Sequence, residues 1–151
     1  LNKPLIHVPT VDGMAYGLYG YSGLICPIMD ARRNQVYTGL YRFTEGEFQV
    51  VEEQMAISVS ELIEKLNAYG EKVTFLGDGV PVYRNQFENG LTGEYAFAPA
   101  HLNRQRAAAV GALGMKYFQE GKVESARGHR PDYLRLSQAE RERAEKDAER
   151  S

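Results

Sequence analysis

Cysteine, histidine, net charge and long apolar runs are all scarce in this chain, and each shortage closes off a class of protein. Cys26 is the one cysteine among 151 residues, which excludes an intramolecular disulfide and a zinc cluster built on cysteines. It sits in the apolar run "LICPIM", where a small buried hydrophobe is expected rather than a reactive thiol. A reducing cytoplasm is the natural compartment. His7, His101 and His129 lie far apart, in no HxxxH or HExxH spacing, so the sequence gives no support to metal catalysis by histidine. No serine or cysteine occupies a nucleophile elbow. The formal net charge of −2 supplies no global field toward nucleic acid or an anionic membrane, so contact with RNA requires a local basic patch or a partner. No run approaches the ~20 apolar residues of a membrane-spanning helix, and no signal peptide is visible.

What is present is the composition of an ordinary globular protein. Hydrophobic residues make up 43% and charged residues 25%, enough for one domain to bury a core without disulfides or metals. The chain opens at Leu1, and "KPLIHVP" follows at once like the last strand of something larger, so a preceding segment is expected. "PLIHV" reads as a short buried strand. Thr10 then offers an N-cap, and Asp12 suits the positive end of a helix running to about Leu18.

"LICPIMD" has the form of a central buried strand ending on Asp30. "ARRN" can turn. "QVYTGLYRF" alternates, with Val36, Thr38 and Leu40 on one face and Tyr37, Gly39 and Tyr41 on the other. Gly46 marks a second turn, and "FQVVEEQM" returns, completing an antiparallel meander. Ser58 and Glu61 have capping-box spacing for a helix that places Leu62, Ile63 and Leu66 inward and stops at Gly70. "VTFL" is a strand running into "GDG". "VPVYRNQFENG" is a helix with Pro81 in its first turn, "YAFAP" a strand, and "LNRQRAAAVGALGMKYFQEG" the longest helix, with Val110, Leu113 and Tyr117 on its seam and Gly111 and Gly114 allowing close packing. The order β-β-β-α-β-α-β-α predicts an α/β fold with a mixed five-stranded sheet and helices on its faces, as in ribonuclease-H-like folds and each lobe of the actin/Hsp70 superfamily. Beyond Ser137 the interleaved acids and bases of the tail predict a solvated, fraying helix.

In such a sheet the first and fourth strands run side by side, so Asp30 and Asp78 face one crevice, where ligands of α/β sheets bind. One reading is a magnesium-dependent nuclease or phosphotransferase in which the two acids hold the ion, with Glu61 or Glu64 as a third ligand. A second is a nucleotide-binding lobe. Actin-like lobes wrap phosphate with a small-residue turn between strands one and two. Here that turn is Ala31-Arg32-Arg33-Asn34, without glycine; arginine forks can bind phosphate, but their bulk opposes close backbone approach. Gly77 and Gly79 could supply a backbone nest before the following helix, or only a tight strand-to-helix turn.

"CPIMDARRNQVYTGLY", "FLGDG" and "YLRLSQAERER", with "KPLIHVPTVDGMA" ahead of them, resemble the TsaB (YeaZ) family from Leu1 to about Arg143. The resemblance implies a two-lobed actin/Hsp70-like fold and a role in making threonylcarbamoyladenosine in tRNA. It implies a non-catalytic scaffold that binds and activates the transferase TsaD, with the ATPase TsaE joining them, a homodimer for the full-length protein, and contact with tRNA through the complex. TsaD transfers threonylcarbamoyl from its adenylate to the N6 amine of an anticodon-loop adenosine. ATP or ADP and magnesium are then read as ligands of the full complex, with none assigned to this lobe. The older family label of glycoprotease is not supported, because the metal histidines are missing. On this resemblance residues 1–22 are the last strand and helix of a first lobe, 23–121 the second lobe, and 122–151 a connector and charged tail. Asp30, Arg32, Arg33, Gly77, Asp78 and Gly79 mark its crevice. The family's dimer and TsaD contacts lie mainly on the first lobe, so a chain lacking it is expected to bind TsaD poorly.

Overall fold

The computed structural model describes residues 3–134; the expected tail helix beyond Ser137 lies outside them. The described elements are β1 (Pro4–Leu5), α1 (Thr10–Tyr16), β2 (Leu24–Pro27), β3 (Met29–Asp30), β4 (Gln35–Thr44), β5 (Glu47–Ser58), α2 (Val59–Tyr69), β6 (Val73–Leu76), α3 (Val80–Gly90), β7 (Tyr95–Phe97), α4 (Ala107–Gln119) and β8 (Glu124–Ser125). Glu45 and Gly46 both take positive φ, 52° and 84°, forming the two-residue hairpin turn whose twist matches that of β4 and β5. Both β2 and β3 pair antiparallel with β4, while β2, β6 and β7 run parallel to one another. The sheet is mixed, as the pattern predicts.

The strand count differs from the expectation: six strands, not five, share this sheet. The run "LICPIMD" breaks at Ile28. Pro27 has no N–H to give, and both backbone groups of Ile28 turn toward β6. Its N–H donates to Leu76 O at 2.7 Å, and its carbonyl accepts from Gly79 N at 3.0 Å. The expected buried strand over Pro4 to Val8 is also corrected. Only Pro4 and Leu5 are extended, both are exposed, and they pair with β8 in a separate ribbon. A proline at its start and a two-residue partner leave that ladder little room to grow.

Alternation along the strands feeds two cores. Leu24, Cys26, Val36, Leu40 and Phe75 meet Leu62 and Leu66 of α2 and Phe87 of α3 on one face. On the other, Ile25, Tyr41 and Leu76 meet Val11, Met14 and Ala15 of α1. Cys26 is fully buried beside the Thr38 hydroxyl, 3.3 Å away, and burial pushes its thiol up to about 12, which makes it an inert core residue. The capping box at α2 forms, with Ser58 Oγ accepting from the Glu61 N–H, and Gly70 closes the helix at φ 63°.

Helix α4 starts at Ala107 rather than near Leu102, because the preceding residues are committed elsewhere: Arg106 bonds the carbonyl of His101, and Asn103 bonds Gly77. Close helix contact comes from α1 instead of from Gly111, whose position faces open space. A Cβ on Gly13 would sit 2.9 Å from Val110 Cγ2. Val110 itself is 38% exposed, while Leu113 and Tyr117 are buried as expected.

Asp12 is not the solvent-facing helix-end acid that its position suggests, and Pro9 rather than Thr10 precedes the helix as its cap. Asp12 is 3% exposed, and it accepts hydrogen bonds from Tyr41 Oη at 2.6 Å and Tyr117 Oη at 2.9 Å. One carboxylate thereby joins α1 to β4 and α4. Gly39 lets the Tyr41 ring lie back along its strand, since a Cβ there would fall 2.4 Å from the Tyr41 hydroxyl. Burial raises the Asp12 pKa above its ordinary 3.8, outweighing the two tyrosine hydrogen bonds and the nearby His7 and Lys122.

Asp12→Ala leaves two buried hydroxyls without their acceptor, and the expected loss is about 2–4 kcal/mol, seen as a fall of roughly 5–15 °C in Tm. A change under 1 °C would contradict the clamp. The raised pKa also fixes a sign: Asp12 binds its proton more tightly folded than unfolded, so its contribution is full below pH ~3.8 and is lost as pH rises through the folded pKa. The stability advantage of wild type over Asp12→Asn should therefore shrink from acid toward neutral pH in denaturant titrations.

Candidate functional site

The parallel register Leu24↔Val73 through Pro27↔Leu76 brings the ends of β2 and β6 side by side, as a crevice at this sheet edge requires. A cavity of about 340 Å³ opens there, lined by Met14, Met29, Gly77, Asp78, Asn103, Arg104 and Gln105. Of the six crevice residues expected from the sequence, Gly77 and Asp78 line this cavity. Asp30, Arg32, Arg33 and Gly79 lie outside its lining.

Asp30 is held by its own neighbourhood. Its Oδ1 accepts from Tyr83 Oη at 2.7 Å and from the Arg32 N–H at 2.8 Å, and its Oδ2 lies 3.2 Å from Arg32 Nη1. The Tyr83 hydrogen bond first, and then the Arg32 N–H, hold its pKa below the ordinary carboxylate value. The ion pair itself adds little, because the Arg32 side chain is 87% exposed.

The turn that follows has an unusual backbone. Arg32, Arg33 and Asn34 take φ of 63°, 53° and 58° in succession, each non-glycine residue there costing roughly 1–2 kcal/mol. The conformation is held from both sides. Gln35 N–H donates to Arg32 O at 3.1 Å and Val59 N–H to Asn34 O at 3.1 Å, while Gln86 Nε2 donates to Asn34 Oδ1 at 2.9 Å. The turn reaches a left-handed path without glycine, leaving the Arg32 and Arg33 side chains exposed.

The glycines of "GDG" serve close approach to β2. Gly77 has φ 115°, and a Cβ on it would fall 2.1 Å from Ile28 O; one on Gly79 would lie 2.6 Å from Ile28 Cγ2. Their amides are already committed, Gly77 N–H to Asn103 Oδ1 at 2.7 Å and Gly79 N–H to Ile28 O at 3.0 Å. Those donors are the ones a phosphate nest at this turn would present. Asp78 is exposed.

The metal-site reading can be set against the same geometry. Among the described residues, no cluster of three histidine, cysteine or carboxylate ligands includes Asp30, Asp78, Glu61 or Glu64. Glu61 is engaged in the Ser58 capping box, which lowers its pKa. Tyr83 and Asn103, which tie down Asp30 and Gly77, have no signature in the sequence. Tyr83 reads as one more apolar-face position of α3, and Asn103 falls inside the stretch expected to be helical. His7 and His129, whose separation in sequence suggests no pairing, are brought together with their ring centroids 5.7 Å apart.

A family model described as TsaD, tRNA N6-adenosine threonylcarbamoyltransferase, matches residues 1–143. The chain is 31% identical over 140 residues to the tRNA threonylcarbamoyladenosine biosynthesis protein TsaB of Bacillus subtilis, covering 93% of this chain and 59% of that protein. The chain belongs to the TsaD family and, within it, to the TsaB (YeaZ) group. Two solved structures from Pseudomonas aeruginosa share the fold. YeaZ superposes with a TM-score of 0.65 at 18% identity, over 87% of this chain and 60% of that one. A protein described as similar to peptidase YeaZ gives 0.61 at 20% identity, over 83% and 55%. The chain thus spans somewhat over half the length of these TsaB and YeaZ relatives.

The two kinds of glycine in this TsaB-group chain separate by measurement. Gly77→Ala forces a side chain against the Ile28 carbonyl as well as an unfavourable φ, and should destabilise by about 3 kcal/mol or more. Gly70→Ala has the positive φ but nothing within 4 Å of the new Cβ, so about 1 kcal/mol is expected. Equal losses in urea unfolding would contradict the role given to the Ile28 contact.

Proposed function

We propose that this chain is the second, non-catalytic lobe of a protein that serves tRNA N6-threonylcarbamoyladenosine formation as a scaffold, that protein as a whole binding a TsaD-like transferase and, with it, a TsaE-like ATPase. The observation that carries this reading is the state of the crevice. Asp30 is tied to Tyr83 and Arg32, and the Gly77 and Gly79 amides are spent on Asn103 and Ile28. A magnesium-dependent nuclease or phosphotransferase needs free carboxylates converging on one ion, and a phosphate-binding loop needs free amides. Asp30, Arg32, Arg33, Gly77, Asp78 and Gly79 then mark where relatives of the fold hold ligand without carrying chemistry here.

The sheet arrangement supports reading residues 23–121 as one actin-like lobe, with 1–22 derived from a neighbouring lobe and 122–151 a connector and tail. Within the described residues no helix is long and apolar enough to cross a membrane; a place in the cytoplasm, beside tRNA, is part of the proposal. Homodimerisation and indirect contact with tRNA through the complex belong to the same proposal, as do ATP or ADP and magnesium in the assembled complex.

The test is reconstitution of tRNA threonylcarbamoylation from TsaD-like and TsaE-like proteins plus the protein carrying this chain. Asp30→Asn combined with Asp78→Asn preserves shape and removes both carboxylates. Modified tRNA should form at an undiminished rate with this variant. Complete loss, with the variant still folded and still captured by the transferase, would revive the catalytic reading.

A further inference from the structure

We propose that His7, Glu124 and His129 form a binding site for a divalent transition metal, zinc above all, that fastens the segment after β1 to the turn after β8. One ligand atom from each of the three lies within 4.8 Å of the other two. The fold delivers them independently. The β1–β8 ladder sets Leu5 opposite Glu124, which leaves His7 two residues further along the same strand direction. His129 is folded back over β8 by a backbone turn in which the Gly128 and His129 N–H groups both donate to Ser125 O, at 3.0 and 3.1 Å. His129 Nδ1 then lies 2.7 Å from Glu124 Oε1, and the His7 ring stands 5.7 Å away, centroid to centroid, tilted by 58°.

The donor set decides the class of ion. Two imidazole nitrogens and one carboxylate oxygen suit zinc and its neighbours, whereas magnesium and calcium require several more oxygens. Ligand atoms around tetrahedral zinc stand about 3.4 Å apart, from bonds of about 2.1 Å. To reach that spacing the widest separation closes and the 2.7 Å His129–Glu124 pair opens by side-chain rotation about the half-buried Glu124 and the exposed His129. Room for a further ligand exists, because His7 and His129 line a pocket of about 370 Å³ with Gln54 and Asp132. Asp132 is placed there by Gln54 Nε2, which donates to its Oδ2 at 2.8 Å. A purpose is also visible: the ribbon has two residue pairs, too few to hold by itself, and an ion that binds only the folded arrangement stabilises it.

The experiment is calorimetric titration of zinc chloride into the full chain, prepared without an affinity-tag histidine tract. One zinc per chain is expected. His7→Ala and His129→Ala should each weaken binding at least ~10-fold, the size of effect that loss of even an outer partner of a ligand produces, while His101→Ala leaves it unchanged. Absence of saturable one-to-one binding, or wild-type affinity in the His7→Ala or His129→Ala variant, overturns the proposal. If either variant is misfolded by circular dichroism, the wild-type histidine ring resonances decide. Zinc should shift those of His7 and His129 and spare His101; shifts in all three, or in none, overturn it.

Discussion

The buried carboxylate of Asp12 is the point on which the arrangement of this chain turns. Helix α1 has only seven residues, too short to persist alone, and it is fixed by the apolar contacts of Val11, Met14 and Ala15 and by the two tyrosine hydroxyls that Asp12 collects. Those hydroxyls come from β4 and α4, so one side chain sets the distance between a sheet face and two helices. The requirement is demanding: a carboxylate taken from water must find partners or be destabilising. Gly39 makes room for one tyrosine and Gly13 for the approach of α4. Met14, two residues beyond Asp12, forms a wall of the crevice at the end of β6.

From that framework follows the character of the crevice. Its position is the one the parallel β2–β6 pair dictates, yet the chain satisfies the crevice's polar groups from within. Asn103 can reach Gly77 because the residues before α4 remain out of the helix, and Tyr83 can reach Asp30 because α3 packs directly over the sheet. The left-handed turn through Arg32, Arg33 and Asn34 stores backbone strain that its hydrogen bonds hold in place. Such strain at a functional position is ordinarily retained for a purpose. Here the turn leaves the Arg32 and Arg33 side chains exposed and outside the lining of the crevice.

Much of the fold was legible in the sequence, for reasons that can be named. The Glu45-Gly46 hairpin, the Ser58–Glu61 capping box, Gly70 as a stop and Pro81 in the first turn of α3 are local chemistry, and local chemistry is written locally. Alternation in "QVYTGLYRF" placed Val36 and Leu40 on one face and Tyr41 on the other because strand period is a backbone property. What failed depends on distant residues. The split at Ile28, the exposed β1–β8 ribbon and the late start of α4 each follow from a contact with a segment far along the chain. Asp12 looked like an ordinary helix-end acid because its partners lie 29 and 105 residues away. Of the site, the position of the crevice beside Gly77 and Asp78 was visible; that Asp30 lies outside its lining, bonded by Tyr83, and that the Gly77 N–H is taken by Asn103 was not.

The crevice is open, but its Gly77 and Gly79 amides and the neighbouring Asp30 carboxylate are engaged by the chain's own groups, and on the proposed reading it takes up neither nucleotide nor ion. Titration of magnesium–ATP into isotopically labelled chain, followed through the backbone amide resonances of Gly77, Gly79 and Arg32, tests it most directly. These three resonances should stay in place up to millimolar nucleotide. Saturable shifts of Gly77 and Gly79 together with Arg32 would contradict it.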